Sequence, residues 1–460
     1  MSRQTTISIS LPRMAGAFAP YTALVLVLVL LFGGGTRAGL WSDVVVELAA
    51  LPLIPWAIVR LPLARLGWQA RWAIGLLCAI VALPLLQLVP LPHAVWSALP
   101  GRAEISAAYR EAGMDWPWLP VSLDPTATWR SLVSLLPAAA IFLAALSLAG
   151  AARHMLVALI VVAACVSVPL DFLQIMGGPE SPLRFYAVTN NARAVGFFAN
   201  ANHYVALLYC AIPFMVALAL DAAGRHRQRR GFIIALLVVL LGAIVIGIAL
   251  AVSRAGLVLG LLAGCGALAI AWRQNGARSG RRLWLTSAAG LLAALLVLFQ
   301  FGFANLSERI DVTVNLEDLR WPVARVTARA ALAHMPLGSG LGTFVPIYDM
   351  YAPRTLLADR FVNHAHDDWL ELWLTGGVPA LMLAAAFLAW FLSAVVTCWR
   401  PARPTMPARD ILFARAASVA VALLLVHSAL DYPLRTLALG AVFALACALL
   451  IPAAEEVRRP

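Results

Sequence analysis

The chain reads as an all-α polytopic membrane protein, on three grounds. Of its 460 residues 62% are hydrophobic and 12% charged, whereas soluble domains carry about 25% charge. Mean hydropathy is +0.86, so the bilayer is the main solvent. Apolar runs close to the roughly 20 residues that a helix needs to cross about 30 Å of hydrocarbon recur along the whole sequence. Disorder is excluded by the same figures, because disordered chains combine low hydrophobicity with high net charge.

About twelve such runs form a single polytopic domain over 1–460, near 17–36, 43–59, 72–90, 131–149, 155–176, 201–220, 232–252, 255–272, 284–304, 368–395, 412–428 and 434–452. The first leads into Gly33-Gly34-Gly35 with no convincing small-residue cleavage site, and reads as a retained span rather than a signal peptide. The seventh and eighth are divided only by Ser253-Arg254. Forty residues of helix would reach about 60 Å, twice the hydrocarbon thickness, so Ser253-Arg254 must be a turn. The six cysteines, Cys78, Cys165, Cys210, Cys265, Cys398 and Cys447, show no paired or metal-ligand spacing and read as packing residues.

All 34 basic residues are arginine, and the net charge is +12. With the N-terminus placed in the cytoplasm, 20 arginines fall in about 83 inner residues and 14 in about 144 outer ones, the asymmetry that the positive-inside rule requires. Topology therefore accounts for the excess charge, and nucleic acid is not implied. This orientation places both termini in the cytoplasm.

The short inner connections leave little room for chemistry. Two outer segments are long, 91–130 and 305–367, and loops of that length are usually functional or disordered. Residues 322–335 lack glycine and predict a surface helix, ended by Pro336 and the run Gly338-Ser339-Gly340-Leu341-Gly342, which permits a tight turn or close approach of a ligand. Asn363-His364-Ala365-His366-Asp367-Asp368-Trp369-Leu370-Glu371 is the densest polar cluster. A helix N-cap explains Asn363 or Asp367 but not His366. Metal binding by His364 and His366 is the weaker alternative, since their spacing puts the imidazoles on opposite faces of a helix. Arg254 at the outer turn and Arg193, in the polar stretch Asn190 to His203, complete a set of outward groups suited to one anionic ligand. A diphosphate fits best.

These residues resemble the O-antigen ligase and polymerase superfamily of bacterial envelope glycosyltransferases, over most of the chain. The carriers are Gly196-Phe197-Phe198-Ala199-Asn200-Ala201-Asn202-His203; Ser253-Arg254-Ala255-Gly256; Arg320 with Pro336-Leu337-Gly338-Ser339-Gly340-Leu341-Gly342-Thr343-Phe344; and His364-Ala365-His366-Asp367-Asp368-Trp369-Leu370. The resemblance implies a class C-like glycosyltransferase fold of a dozen or so spans with a long periplasmic loop that carries the catalytic groups. It also implies metal-independent, cofactor-free transfer from an undecaprenyl-diphosphate-linked glycan. His366 is then the catalytic base, inverting the anomeric carbon, with Asp367 or Asp368 orienting its ring. Arg193, Arg254 and Arg320 hold the diphosphate beside Asn202 and His203, with Arg325 and Arg329 competing for the place of Arg320.

The sequence departs from the usual pattern at Asp367, where asparagine is common, and at Thr375, where glutamate often precedes the glycine. His427-Ser428-Ala429-Leu430-Asp431-Tyr432-Pro433-Leu434-Arg435 and Val121-Ser122-Leu123-Asp124-Pro125-Thr126-Ala127-Thr128 resemble the branch that polymerises O-antigen or exopolysaccharide repeats. The partners implied are the lipid-linked donor, a glycan or lipid A-core acceptor, and a chain-length regulator, at the periplasmic face of the bacterial inner membrane. Two alternatives remain: a ligase that attaches finished glycan to lipid A core, and a transporter of the same lipid-linked substrate. Transporters place polar groups near the midplane on interrupted helices, whereas Glu47, Asp171 and Glu371 all lie near span ends.

Overall fold

The computed structural model describes residues 12–453 apart from 38, 64–65, 115–116, 276–319, 358–360 and 401–405. The helices are α1 (Pro12–Phe32), α2 (Trp41–Ala50), α3 (Leu53–Arg60), α4 (Trp68–Gln87), α5 (His93–Trp96), α6 (Ala103–Glu111), α7 (Pro125–Val133), α8 (Leu136–Ser147), α9 (Gly150–Met176), α10 (Ala201–Arg225), α11 (Arg230–Leu250), α12 (Arg254–Asn275), α13 (Arg320–Ala333), α14 (Phe344–Tyr351), α15 (Arg354–Leu357), α16 (Asp368–Trp399), α17 (Ala408–His427) and α18 (Leu437–Leu449). Two short strands, β1 (Pro90–Leu91) and β2 (Leu119–Pro120), pair antiparallel.

Among the described residues nine helical segments are long and apolar enough to cross a membrane, with α2–α3 and α7–α8 each counted as one, and Gly16–Phe32 and Leu437–Leu449 are shorter apolar helices. The protein is an all-α polytopic membrane protein. The expected span at 284–304, the adjoining loop to 319 and both chain ends lie outside the described residues. The helix expected at 322–335 is α13.

The core is built around α10, which packs against α9, α11, α12 and α17. Its run from Tyr204 to Ala217 is buried without a break, and such an all-round apolar helix belongs at the centre of a bundle. By contrast α11 exposes Phe232, Val238 and Val239, the apolar surface that lipid covers. The 32 residues of α16 are too many for one straight crossing at 1.5 Å each. The helix bends at Gly377, whose φ of 59° lies in the left-handed region, with Pro379 two residues on.

The glycine run after α13 serves the fold. A side chain at Gly338 would strike the backbone of Thr375 and Gly377, one at Gly340 would strike Ser122, and one at Gly342 would strike Ala127. The close approach is thus to the protein's own chain, not to a ligand. Leu123 N donates to Ser339 O (2.8 Å), Thr128 Oγ1 to Leu341 O (2.7 Å), Leu341 N to Gln87 Oε1 (2.9 Å) and Gln87 Nε2 to Thr375 O (3.0 Å). The two long loops are therefore fastened to each other and to α4 and α16. Helix begins earlier than the expected 131, because Asp124 caps α7 by accepting from Ala127 N at 3.0 Å.

At the opposite end of the bundle Arg153 is buried. Its guanidinium donates to Ala145 O (2.6 Å), Leu146 O (3.2 Å) and Ile451 O (2.7 Å), closing the carbonyl ends of α8 and α18, which carry partial negative charge. His154 Nε2 lies 3.1 Å from Asp410. Cys210, Cys398 and Cys447 are buried, but Cys78 and Cys265 are exposed, so packing inside the protein does not account for those two.

Candidate functional site

The start of α16 is set by Asp367, whose Oδ1 accepts from Trp369 N (2.9 Å) and Leu370 N (3.0 Å). This is the N-cap that satisfies free amides of a first turn. Just before it, His366 has φ 53°, a conformation that costs a non-glycine residue about 1–3 kcal/mol and collects at functional sites. The turn swings the imidazole away from α16 and onto the α17–α18 connection, where His366 Nδ1 meets Asp431 Oδ1 at 3.1 Å. The histidine side chain stays 32% exposed while that of Asp431 is 1% exposed.

Asp431 is held from two further directions. Asn202 Nδ2 donates to its Oδ2 at 2.6 Å, and Tyr432 N donates to Oδ1 at 3.0 Å. Asn202 in turn accepts through Oδ1 from Ser253 Oγ at 2.8 Å. Ser253 Oγ also accepts from Gly256 N at 3.0 Å, which caps α12 and fixes Arg254 as that helix's first residue. One line of hydrogen bonds thus runs from the start of α16 through the α17–α18 connection to α10 and α12. Burial would push the Asp431 carboxyl up, but the His366 hydrogen bond and the imidazoles of His203, His366 and His427 outweigh it and hold it well below the usual carboxylate range. It is an ionised group, buried and paired.

A second network lies beside the first. Arg435 reaches Asp368 through Nε (3.1 Å) and Glu371 through Nη1 (3.2 Å). Glu371 also meets His364 Nδ1 at 3.1 Å and accepts from Ala365 N at 3.0 Å. Ser428 Oγ donates to Asp368 Oδ2 at 2.9 Å. Tyr432 sits between the networks, its ring 4.3 Å from His364, 5.1 Å from His366 and 4.7 Å from His203 between centroids. Asn363 Nδ2 donates to Tyr432 OH (3.3 Å) and to Thr36 O (3.2 Å), tying the α1–α2 connection to the same place.

Arg320, at the start of α13, donates through Nη1 to Leu430 O at 3.4 Å, next to Asp431. Arg254 is exposed at the start of α12. Arg193 is half-buried on the turn before α10. Its carbonyl accepts from Arg184 Nη1 at 3.0 Å, and the same turn holds the helix start through Asn190 Oδ1, which accepts from Ala201 N at 2.9 Å. Arg325 and Arg329 are exposed along α13.

Several expected roles change. Neither Asp367 nor Asp368 holds the His366 ring: the first caps α16, the second binds Arg435 and Ser428, and Asp431 takes their place. His203 has no exposed surface and lies edge-on to Tyr432, so it is not presented to a phosphate. Asn202 has both ends of its amide engaged and links Asp431 to Ser253. His364 and His366 take separate carboxylates, and among the described residues no three His, Cys, Asp or Glu side chains are grouped to hold a metal ion. Asp431 and Arg435 were not foreseen as site residues. The signal for both was the polar stretch 427–435 between two apolar runs.

The family model described as O-antigen ligase matches residues 240–385. That interval contains the α11–α12 turn with Arg254, the stretch from Arg320 through the glycine run, and His364 to Asp368. No curated protein matches the chain.

Proposed function

We propose that this chain, whose residues 240–385 match the family model described as O-antigen ligase, polymerises undecaprenyl-diphosphate-linked repeat units at the periplasmic face. That match, together with the apolar helices, supports the coarser statement, a membrane protein of the O-antigen ligase or polymerase type. The observation that supports transfer from a diphosphate-linked donor is the pair His366–Asp431 with Arg320 beside it and Arg254 one residue from Ser253, and the stretches 121–128 and 427–435, which resemble the polymerising branch, favour the joining of repeats. A base held by a buried carboxylate, next to guanidinium groups, is what displacement of a diphosphate requires.

In this reading His366 Nδ1 is committed to Asp431, which leaves Nε2 to take the proton from the acceptor hydroxyl. The hydroxyl oxygen forms its bond to the anomeric carbon as the bond from that carbon to the phosphate oxygen breaks, inverting the centre. The electron pair leaves with undecaprenyl diphosphate. Arg254, Arg320 and, from its turn, Arg193 neutralise the charge that develops there, and guanidinium suits the task because it bonds phosphate oxygens in pairs. Asp431 stays charged throughout and stabilises the imidazolium, and the step needs no metal or cofactor.

Ligation of finished glycan to lipid A core is the second reading, and the description of the matching family favours it. Expression in a polymerase-null host separates the two. Restored polysaccharide ladders support polymerisation. A single repeat that stays unextended while long lipid-linked chains move to the core supports ligation and overturns the first reading. A chain-length regulator remains the expected additional partner of a polymerase.

A further inference from the structure

Where α1 ends and α2 begins, a groove of about 570 Å³ opens against the segment that precedes α10, within the usual range of small-molecule sites. Phe32, Leu40 and Trp41 form one wall, and Phe185, Tyr186 and Phe197 the other. The rings of Phe185 and Phe197 are nearly parallel, 10° apart at 6.1 Å between centroids. Tyr186 turns its hydroxyl inward, accepting from Gly34 N and donating to Phe32 O, both at 3.0 Å, so the surface left to the groove is mostly apolar, with Ser42 the polar residue of its lining.

Both walls are tied to the site described above. Phe197 follows Arg193 by four residues, and Arg184, next to Phe185, donates to the carbonyls of Arg193 and Asn190. On the other side Thr36 O accepts from Asn363, three residues before His366, and the Arg37 guanidinium lies over the Phe361 ring. A charged site whose supporting segments also form the walls of an apolar, aromatic groove matches a ligand with an anionic head and a long apolar tail.

We propose that this groove seats the polyprenyl chain of the donor, with the isoprene units nearest the diphosphate lying between Phe32, Phe185 and Phe197. The proposal rests on the donor being a polyprenyl diphosphate glycan. A tail gains little by leaving lipid for a protein surface, since bilayer and groove are similarly apolar. The groove therefore acts through fit: flat, branched isoprene units lie against fixed ring faces, and the diphosphate is delivered in one orientation. An acyl chain, which lacks planar units, would be held less well.

The test uses purified protein in detergent and two donors with the same oligosaccharide diphosphate, one on undecaprenol and one on a two-isoprene alcohol. Ala187→Trp fills the groove from an exposed position, and Phe185→Ala widens it. The expected result is a rise of about tenfold in KM for the undecaprenyl donor in Ala187→Trp, with kcat and the short-chain donor's KM unchanged. Equal effects on both donors, or none, overturn the groove while leaving the donor reading intact. A wild-type protein that turns over neither donor overturns both. Independently of turnover, undecaprenyl diphosphate with a photoreactive group on its third isoprene is expected to label residues 31–42 and 185–197, less so in Ala187→Trp. Labelling that phospholipid suppresses as well as undecaprenyl phosphate does would identify an ordinary lipid site and overturn the proposal.

Discussion

The two ends of the bundle treat buried charge in opposite ways. At one end Arg153 spends its donors on the carbonyls of α8 and α18, and His154 pairs with Asp410. Those groups are buried and consumed. At the other end two carboxylates, Asp431 and Glu371, are buried and Asp368 is half-buried, and each holds a base or guanidinium that is itself partly exposed, His366 at 32%, His364 at 21% and Arg435 at 22%. The first arrangement closes helix ends. The second presents positive and basic groups to whatever lies outside, on rigid supports, and that difference separates a structural cap from a site able to act.

Substitutions sharpen this contrast, and the largest effect is expected at His366. His366→Ala should lower transfer by about 10²- to 10⁴-fold, the usual contribution of a general base, with membrane insertion and monodisperse elution unchanged. Retention of full polymer yield in a null background would break the assignment. Arg254→Ala should cost about 10²- to 10³-fold in rate, and Arg254→Lys should recover only part because it lacks the paired donors.

Arg153→Ala tests the opposite end. It leaves carbonyls of two helices without donors, each costing about 1–3 kcal/mol, so thermal unfolding should shift down clearly while the specific activity of the folded fraction stays close to wild type. A selective loss of activity without loss of stability would dissolve the contrast. Asp431→Asn should show the pH signature of a carboxyl held well below its usual range. A depressed folded pKa adds stability above the unfolded value near 3.9, lost as the pH falls through the folded value. The deficit of the variant should thus be constant from pH 8 to about 5 and narrow only below about 4, as urea or thermal melts across pH would show.

Hydropathy made the membrane class legible, because length and apolarity alone decide whether a helix can span. The turn at Ser253 followed from the same argument, and Asp367 as a cap followed from local chemistry. The partnership of His366 with Asp431 did not. It joins residues 65 positions apart, and no period or spacing reports a contact made only by the packing of α16 against the α17–α18 connection. The same holds for Arg435, which lies 67 positions from Asp368. His203 looked like a surface ligand because polar residues surround it in sequence, but helical geometry points it inward, under Tyr432. The glycine run was legible as a close approach, while what it approaches, Thr375, Ser122 and Ala127, depends on how the two long loops meet.

The most direct test supplies purified protein with an undecaprenyl-diphosphate oligosaccharide, with and without chelator, and resolves the lipid and glycan products by mass. The account predicts oligosaccharides extended by whole repeats with an inverted linkage, stoichiometric undecaprenyl diphosphate, no effect of chelator, and no product from His366→Ala. Intact donor after incubation with a well-folded wild-type protein, or equal product from His366→Ala, would contradict it.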